Sequence, residues 1–119
     1  MDGSVTKGRA RRALGRDEET YRLHAELCKV LIDPKRLMLI DVLRSGERSV
    51  GDLAGEVEMS MPNASQHLAV LRHAGIVSVR RQGTTVFYRL SEPRIAEACD
   101  IVHAIVTDRR SAPHEEASL

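Results

Sequence analysis

The stretch SMPNASQHLAVLRHAGIVSVRRQGTTVFYRL, residues 60–90, decides the fold, because the spacing of its apolar residues changes once along its length. Before Gly75 apolar side chains recur every three or four residues, which is typical of a helix with one buried face. From Ile76 onward they alternate with polar ones on either side of Gly83. The pattern predicts a helix capped by Ser60, followed by a β-hairpin with glycine at its tip.

Helices are also predicted on both sides of this stretch. Each predicted start carries a residue that caps or opens helices, and each predicted end is marked by proline, glycine or a change of pattern. The predicted helices span about residues 17–32, 34–43, 49–57, 60–74 and 94–110. Four helices, a hairpin and a last helix predict a mainly α domain with a small β-hairpin, arranged as a winged helix-turn-helix, ααααββα.

The composition is that of an ordinary soluble domain. Of the 119 residues 42% are apolar and 29% charged, and aromatic residues make up only 3%, which favours helices over a β-sandwich. The net charge of +1 does not by itself indicate a nucleic-acid partner, so such a partner has to be argued from local charge. No apolar run approaches a membrane span and no secretory segment is recognised, which predicts a cytoplasmic protein without a membrane partner.

The two ends of the chain differ from its middle. Residues 1–16 hold five basic side chains and one acidic one, and they are interpreted as a flexible basic arm. This arm is either an inert solvated tail or a segment that contacts DNA phosphates. Residues 111–119 are interpreted as a flexible acidic tail, which leaves residues 17–110 as the predicted winged-helix DNA-binding domain.

The predicted helix that begins near residue 61 has one face for the core and one for a partner. Its apolar face consists of Ala64, Leu68 and Leu71. The opposite face carries Ser65 and Gln66, with Asn63 at its edge, and these side chains can hydrogen-bond to base edges in a major groove. The hairpin adds donors suited to phosphates, namely Arg80, Arg81, Thr84, Thr85 and Arg89. Together the two segments predict binding to double-stranded DNA.

The segment 65–90, SQHLAVLRHAGIVSVRRQGTTVFYRL, resembles the signature of ArsR/SmtB transcriptional repressors. The strings DPKRLMLIDVL and SVGDLAGEV are similar to the family's second and third helices, so the resemblance covers roughly residues 20–107. It implies a homodimer joined through the first and last helices, with a DNA affinity that a chemical signal switches. An apolar stripe on the last helix, with no later element to cover it, agrees with that implication.

The resemblance also implies where DNA is contacted. It places base-facing residues at Met61, Pro62, Ser65 and Gln66, and contacts from the hairpin at Arg80, Arg81, Thr84 and Tyr88. Met61 and Pro62 depart from the polar pair that is common there and cannot donate side-chain hydrogen bonds. Part of the base reading is therefore open to Asn63 or His67.

Metal is one candidate signal. The family's C-x-C site is missing, because the third helix reads SVGDLAGEV. A second family pattern, D-x-H-x10-H-x-x-E/H in the last helices, is partly kept by Asp100, His103 and His114, although the first spacing is one residue too long and the last position is Ala117. A zinc or nickel ion on these three residues, completed by Glu115 or Glu116, is one hypothesis.

Thiol chemistry is the other candidate signal. Cys28 lies on the first helix and Cys99 in the apolar stripe of the last, so both are expected near the dimer contact. They are either small buried apolar residues or a reactive pair that is oxidised, converted to a persulfide or bound to a soft ion. The cysteine that persulfide-sensing members carry on the second helix is Asp41 here, so only a general thiol switch is implied. The sequence favours this switch over the metal site.

Two other classes of function compete with DNA binding. An enzyme is disfavoured, because the sequence has no phosphate-binding glycine loop, no nucleophile elbow and no evident acid–base pair. A winged-helix module that binds proteins would keep the same fold, and it would differ in making no use of the basic hairpin for DNA.

Overall fold

The computed structural model describes residues 17–112. The helices are α1 (Glu18–Val30), α2 (Pro34–Leu43), α3 (Val50–Glu56), α4 (Met61–His73) and α5 (Arg94–Ser111), and the strands are β1 (Arg48–Ser49), β2 (Val77–Gln82) and β3 (Thr85–Leu90). The predicted order of four helices, a hairpin and a last helix is confirmed. The predicted arm, 1–16, and most of the predicted tail, 113–119, lie outside the described residues.

Strand β1 is the element that the sequence did not predict. It pairs with β3 in antiparallel register and completes a three-stranded sheet in the order β1-β3-β2. Two residues are too few to show an alternating pattern, so nothing in the sequence marks them as a strand. The pairing places Glu47, the residue before β1, beside Arg80 of the hairpin.

Local side-chain caps set the helix starts. An oxygen of the residue before the helix accepts a hydrogen bond from a backbone N–H of the first turn in α1 to α4. These capping residues are Asp17, Asp33, Ser49 and Ser60. At the other end of α4, Gly75 takes a φ of +80° that other residues rarely adopt, and the chain turns there into β2. Each cap stabilises its helix by about 1 kcal/mol.

One core joins α2, α3, α4 and the base of the hairpin. Its most deeply buried large side chains are Leu39, Ile40, Leu53, Leu68, Leu71 and Ile76. The predicted core face of α4 is confirmed, because Ala64, Leu68 and Leu71 are fully buried. Burial of that face fixes the opposite face of α4 toward solvent.

Helices α1 and α5 lie at the edge of this core. No residue of α1 is buried, and Ala96 is the buried residue of α5. Four large apolar side chains of α5 are between 46% and 66% exposed: Ile101, Val102, Ile105 and Val106. A single chain therefore leaves an apolar row on α5 uncovered. Among residues 17–112, no helix is long and apolar enough to span a bilayer.

Candidate nucleic-acid interface

The exposed face of α4 is small and polar. Asn63, Ser65 and Gln66 are exposed, and within residues 17–112 their side chains have no hydrogen-bond partner. Met61 and Pro62 start the helix, and the Met61 side chain is 51% exposed instead of packing on the core. The first turn of α4 thus presents an apolar tip beside three free polar side chains. A surface of this kind can approach a major groove closely and offer donors and acceptors to base edges.

His67 occupies a different position from the other predicted base readers. It is half-buried, and its Nδ1 lies 3.3 Å from Nη1 of Arg36 in α2. The side chain is therefore in contact with α2. Of the two residues to which base reading was open, the structure places Asn63, and not His67, on the exposed face of α4.

Arg80 is engaged within the chain. Its Nε and Nη2 donate to the two carboxylate oxygens of Glu47 at 3.0 and 2.7 Å, and its Nη1 donates to Gln82 at 2.7 Å. The guanidinium also lies 4.6 Å from the centre of the Phe87 ring. The hydrogen bonds with Glu47 raise the pKa of Arg80 and lower that of Glu47. In the single chain these donors brace the hairpin against the segment before β1, and the phosphate contact at Arg80 stays a prediction.

Arg81 is a hairpin arginine that remains available. It is exposed, and no side-chain partner lies within hydrogen-bonding distance among the described residues. Cross-strand pairing sets Arg81 opposite Val86. Both side chains therefore lie on the face of the sheet that packs on the helices, and Arg81 extends that face beyond the core. Thr84 is exposed in the turn beside Gly83. Arg81 and Thr84 are thus free to meet a partner that contacts α4.

Tyr88 lies mostly in the core. It is 9% exposed and belongs to the core, opposite Val79 of β2. Its strand alternates between a core side and a solvent side, and Tyr88 lies on the core side. Tyr88 is therefore a packing residue at the base of the hairpin, and the DNA contact implied by the resemblance stays a prediction.

The metal hypothesis finds no assembled site in the described part of the chain. Both carboxylate oxygens of Asp100 accept hydrogen bonds from Arg44, at 2.7 and 2.8 Å, and the same guanidinium binds Asp41. Within residues 17–112 no group of three or more metal-binding side chains comes together. His103 is exposed on α5, and His114 lies outside the described residues. A cation at Asp100 would have to displace the guanidinium.

The two cysteines are free thiols in different surroundings. Cys28 is exposed on α1, and Cys99 is half-buried on α5. Burial raises the pKa of the Cys99 thiol, and the Asp100 carboxylate raises it further, against a smaller opposing effect of Arg44. At neutral pH Cys99 is therefore held in its less reactive, protonated form.

Comparisons with known proteins agree with this geometry. The sequence model described as "Bacterial regulatory protein, arsR family" matches residues 33–79. The biofilm growth-associated repressor of Agrobacterium fabrum is 46% identical over 81 residues, which cover 68% of this chain and 69% of the relative. The crystal structure of Rv0081 from Mycobacterium tuberculosis has 37% identity and a TM-score of 0.67, covering 80% of this chain and all (100%) of that one.

A third similar protein is Mb0332 from Mycobacterium bovis, whose solution structure is described as a homodimeric winged helix-turn-helix DNA-binding domain. It has 27% identity and a TM-score of 0.70, and the match covers 87% of this chain and 98% of that one. The relatives are named as regulators and not as enzymes. The chain belongs to the arsR family of bacterial regulatory proteins.

Proposed function

We propose that the chain is a homodimeric transcriptional repressor that binds double-stranded operator DNA through α4 and the β2–β3 hairpin, here called the wing. The observation that carries this proposal is the set of free polar side chains on α4 next to a wing whose Arg81 has no partner within residues 17–112. The name of the Agrobacterium relative supports repression, and the homodimeric state of the M. bovis protein supports a dimer.

In the proposed complex α4 lies in the major groove. Asn63, Ser65 and Gln66 hydrogen-bond to base edges, while Met61 and Pro62 make apolar contacts, for which the thymine methyl group is the matching feature of that groove. Arg81 and Thr84 contact phosphates and fix the orientation of α4. The dimer contact is formed by α1 and α5, since the apolar row of α5 needs a cover that one chain does not supply.

The wing supplies the first test. Replacing Arg81 by Ala should flatten the slope of log affinity against log salt by about one unit, because one phosphate contact is lost. Arg80→Ala is the matched control: it removes the same charge from the neighbouring residue, whose guanidinium already binds Glu47. The measurement is fluorescence anisotropy with duplex DNA from about 50 to about 300 mM salt, a range over which salt increasingly screens exposed charges.

The result also separates the two winged-helix alternatives. A larger slope change for Arg80→Ala than for Arg81→Ala would contradict the proposed wing. Absence of binding to every duplex, with binding to a protein instead, would favour the protein-interaction module.

We further propose that thiol chemistry at Cys28 and Cys99 is the switching signal. Both residues lie on the helices of the proposed dimer contact, and Cys28 is exposed to reagents in the single chain. Because the pKa of Cys99 is raised by burial, Cys28 is the thiol expected to react first. A disulfide or a bulky adduct at this contact would change how the two chains pack, and packed interfaces respond by shifting as rigid bodies.

An oxidant should therefore release DNA. With diamide, the two thiols form one disulfide while two electrons and two protons pass to the diamide, which is reduced to its hydrazine. Wild type is expected to lose DNA and to regain it after dithiothreitol, whereas Cys28→Ser and Cys99→Ser should stay bound. Anisotropy follows the release. If the double serine variant releases DNA on diamide treatment, or if stoichiometric zinc or nickel alone releases it from wild type, the thiol proposal is wrong.

A further inference from the structure

The side chain of Arg36 connects three parts of the chain. It lies in the first turn of α2 and is only 16% exposed. Its Nε donates to the carbonyl oxygen of Val30, the last residue of α1, at 2.7 Å. Its Nη1 lies 3.3 Å from Nδ1 of His67 in α4 and 4.0 Å from a carboxylate oxygen of Asp33. One guanidinium thus touches α1, the start of α2 and α4.

The contact with Val30 is a directional link to α1. The last carbonyl groups of a helix have no partner inside the helix, and a cation at that end is favourable. No residue of α1 is fully buried, and near its end the partly buried Leu27 and Val30 pack against the core. A charged hydrogen bond from a side chain anchored in α2 adds a directional restraint to this packing at the same end of α1.

The contact with His67 specifies the state of the imidazole ring. Arginine has donors and no acceptor, so Nδ1 of His67 has to accept and the ring proton has to be on Nε2. Asp33 helps to hold the guanidinium in place. Burial by itself raises the pKa of the Asp33 carboxyl, but the backbone N–H groups of Arg36 and Lys35, together with the charges of His67 and Arg36, lower it, and the net shift is downward.

We propose that Arg36 is a positioning residue that couples the end of α1 to α4 through His67. His67 follows Gln66 directly, so a shift of α1 at the dimer contact is passed to the part of α4 that reads DNA. The proposal rests on the DNA-binding function above. The guanidinium suits this role because its planar fork holds two partners at a fixed mutual angle, which a lysine ammonium does not do.

A double-mutant cycle tests the coupling. Arg36→Met and His67→Leu should each weaken affinity for a duplex selected by the wild type about fivefold to tenfold, and the double variant should be no weaker than either single variant. Lys35→Met is the matched control. It removes the same charge one position away, from a side chain that donates to Val57 instead, and its effect should add to that of His67→Leu.

Nitrogen chemical shifts of the His67 ring give a readout that loss of stability alone does not move. The wild type should show a proton on Nε2, and Arg36→Met should show a mixture of the two tautomers. If Arg36→Met does not fold, Arg36→Leu, which also has no hydrogen-bond donor, is measured instead. Additive effects in the cycle, or a His67 tautomer that Arg36 does not influence, would overturn the proposal. If folded wild type binds no duplex, the DNA-binding function fails, and the tautomer still decides whether Arg36 controls His67.

Discussion

Replacing Ile101 and Ile105 with Asp should convert the dimer to monomers at micromolar concentration and lower the affinity for a two-half-site operator at least hundredfold. The two side chains are one helical turn apart and are 66% and 46% exposed in the single chain. In the proposed dimer they are buried, and each buried Ile contributes about 1.5 to 3 kcal/mol. The substitution removes that term and brings carboxylates together in an apolar contact, where charge burial is costly.

Loss of the dimer should lower the affinity for DNA more than loss of any single protein–DNA contact would. A dimer places two α4 helices about 34 to 36 Å apart, so the second half-site is bound almost intramolecularly. A monomer loses this gain. Sedimentation reports the mass, and anisotropy reports the affinity.

Thr107→Asp is the control, because it adds a carboxylate on the opposite side of exposed α5 and should remain a dimer. A double Asp variant that sediments as a dimer would show that the chains meet elsewhere.

Leu68→Ala should lower the free energy of unfolding by about 2 to 5 kcal/mol, the cost of a cavity at a fully buried leucine. Leu68 is 0% exposed and belongs to the core that holds α4 against α2 and the hairpin. Natural domains are stable by only about 5 to 15 kcal/mol, so the loss is a large share of the total. Urea unfolding at one fixed protein concentration measures it, since a dimer's stability depends on concentration.

Val70→Ala is the control for Leu68→Ala. Val70 lies on the same helix and is 38% exposed, so truncating it should cost less than about 1 kcal/mol. Equal losses for the two variants would mean that α4 is packed on a different face from the one described.

Features that depend on near neighbours in sequence were predictable. The start of α4 follows from Ser60, whose side chain accepts from the N–H of Asn63 three residues later. The face of α4 that enters the core follows from the spacing of Ala64, Leu68 and Leu71. Such patterns can be recognised without knowledge of the fold, because the residues that interact are within one or two helical turns of each other.

Features that depend on distant pairs were not predictable. The ion pair of Arg80 could not be predicted from the sequence, because its partner Glu47 lies 33 positions away and is brought close by the pairing of β1 with β3. Nothing in the sequence points to Arg36, since His67 lies 31 positions away. Tyr88 is different, because the alternation along β3 already places it with Val86 on the core side of the sheet.

The ion pair between Arg44 and Asp100 would allow α5 to act as a lever. The helix is held near its middle by this ion pair and extends beyond it to Ser111, a length of about 16 Å at the usual rise per residue. A rotation of about 10° at the ion pair moves the far end by about 3 Å, roughly two residue rises along a helix. Cys99 lies directly beside this ion pair, so a small displacement of atoms there would be amplified along the part of α5 that carries the proposed dimer contact.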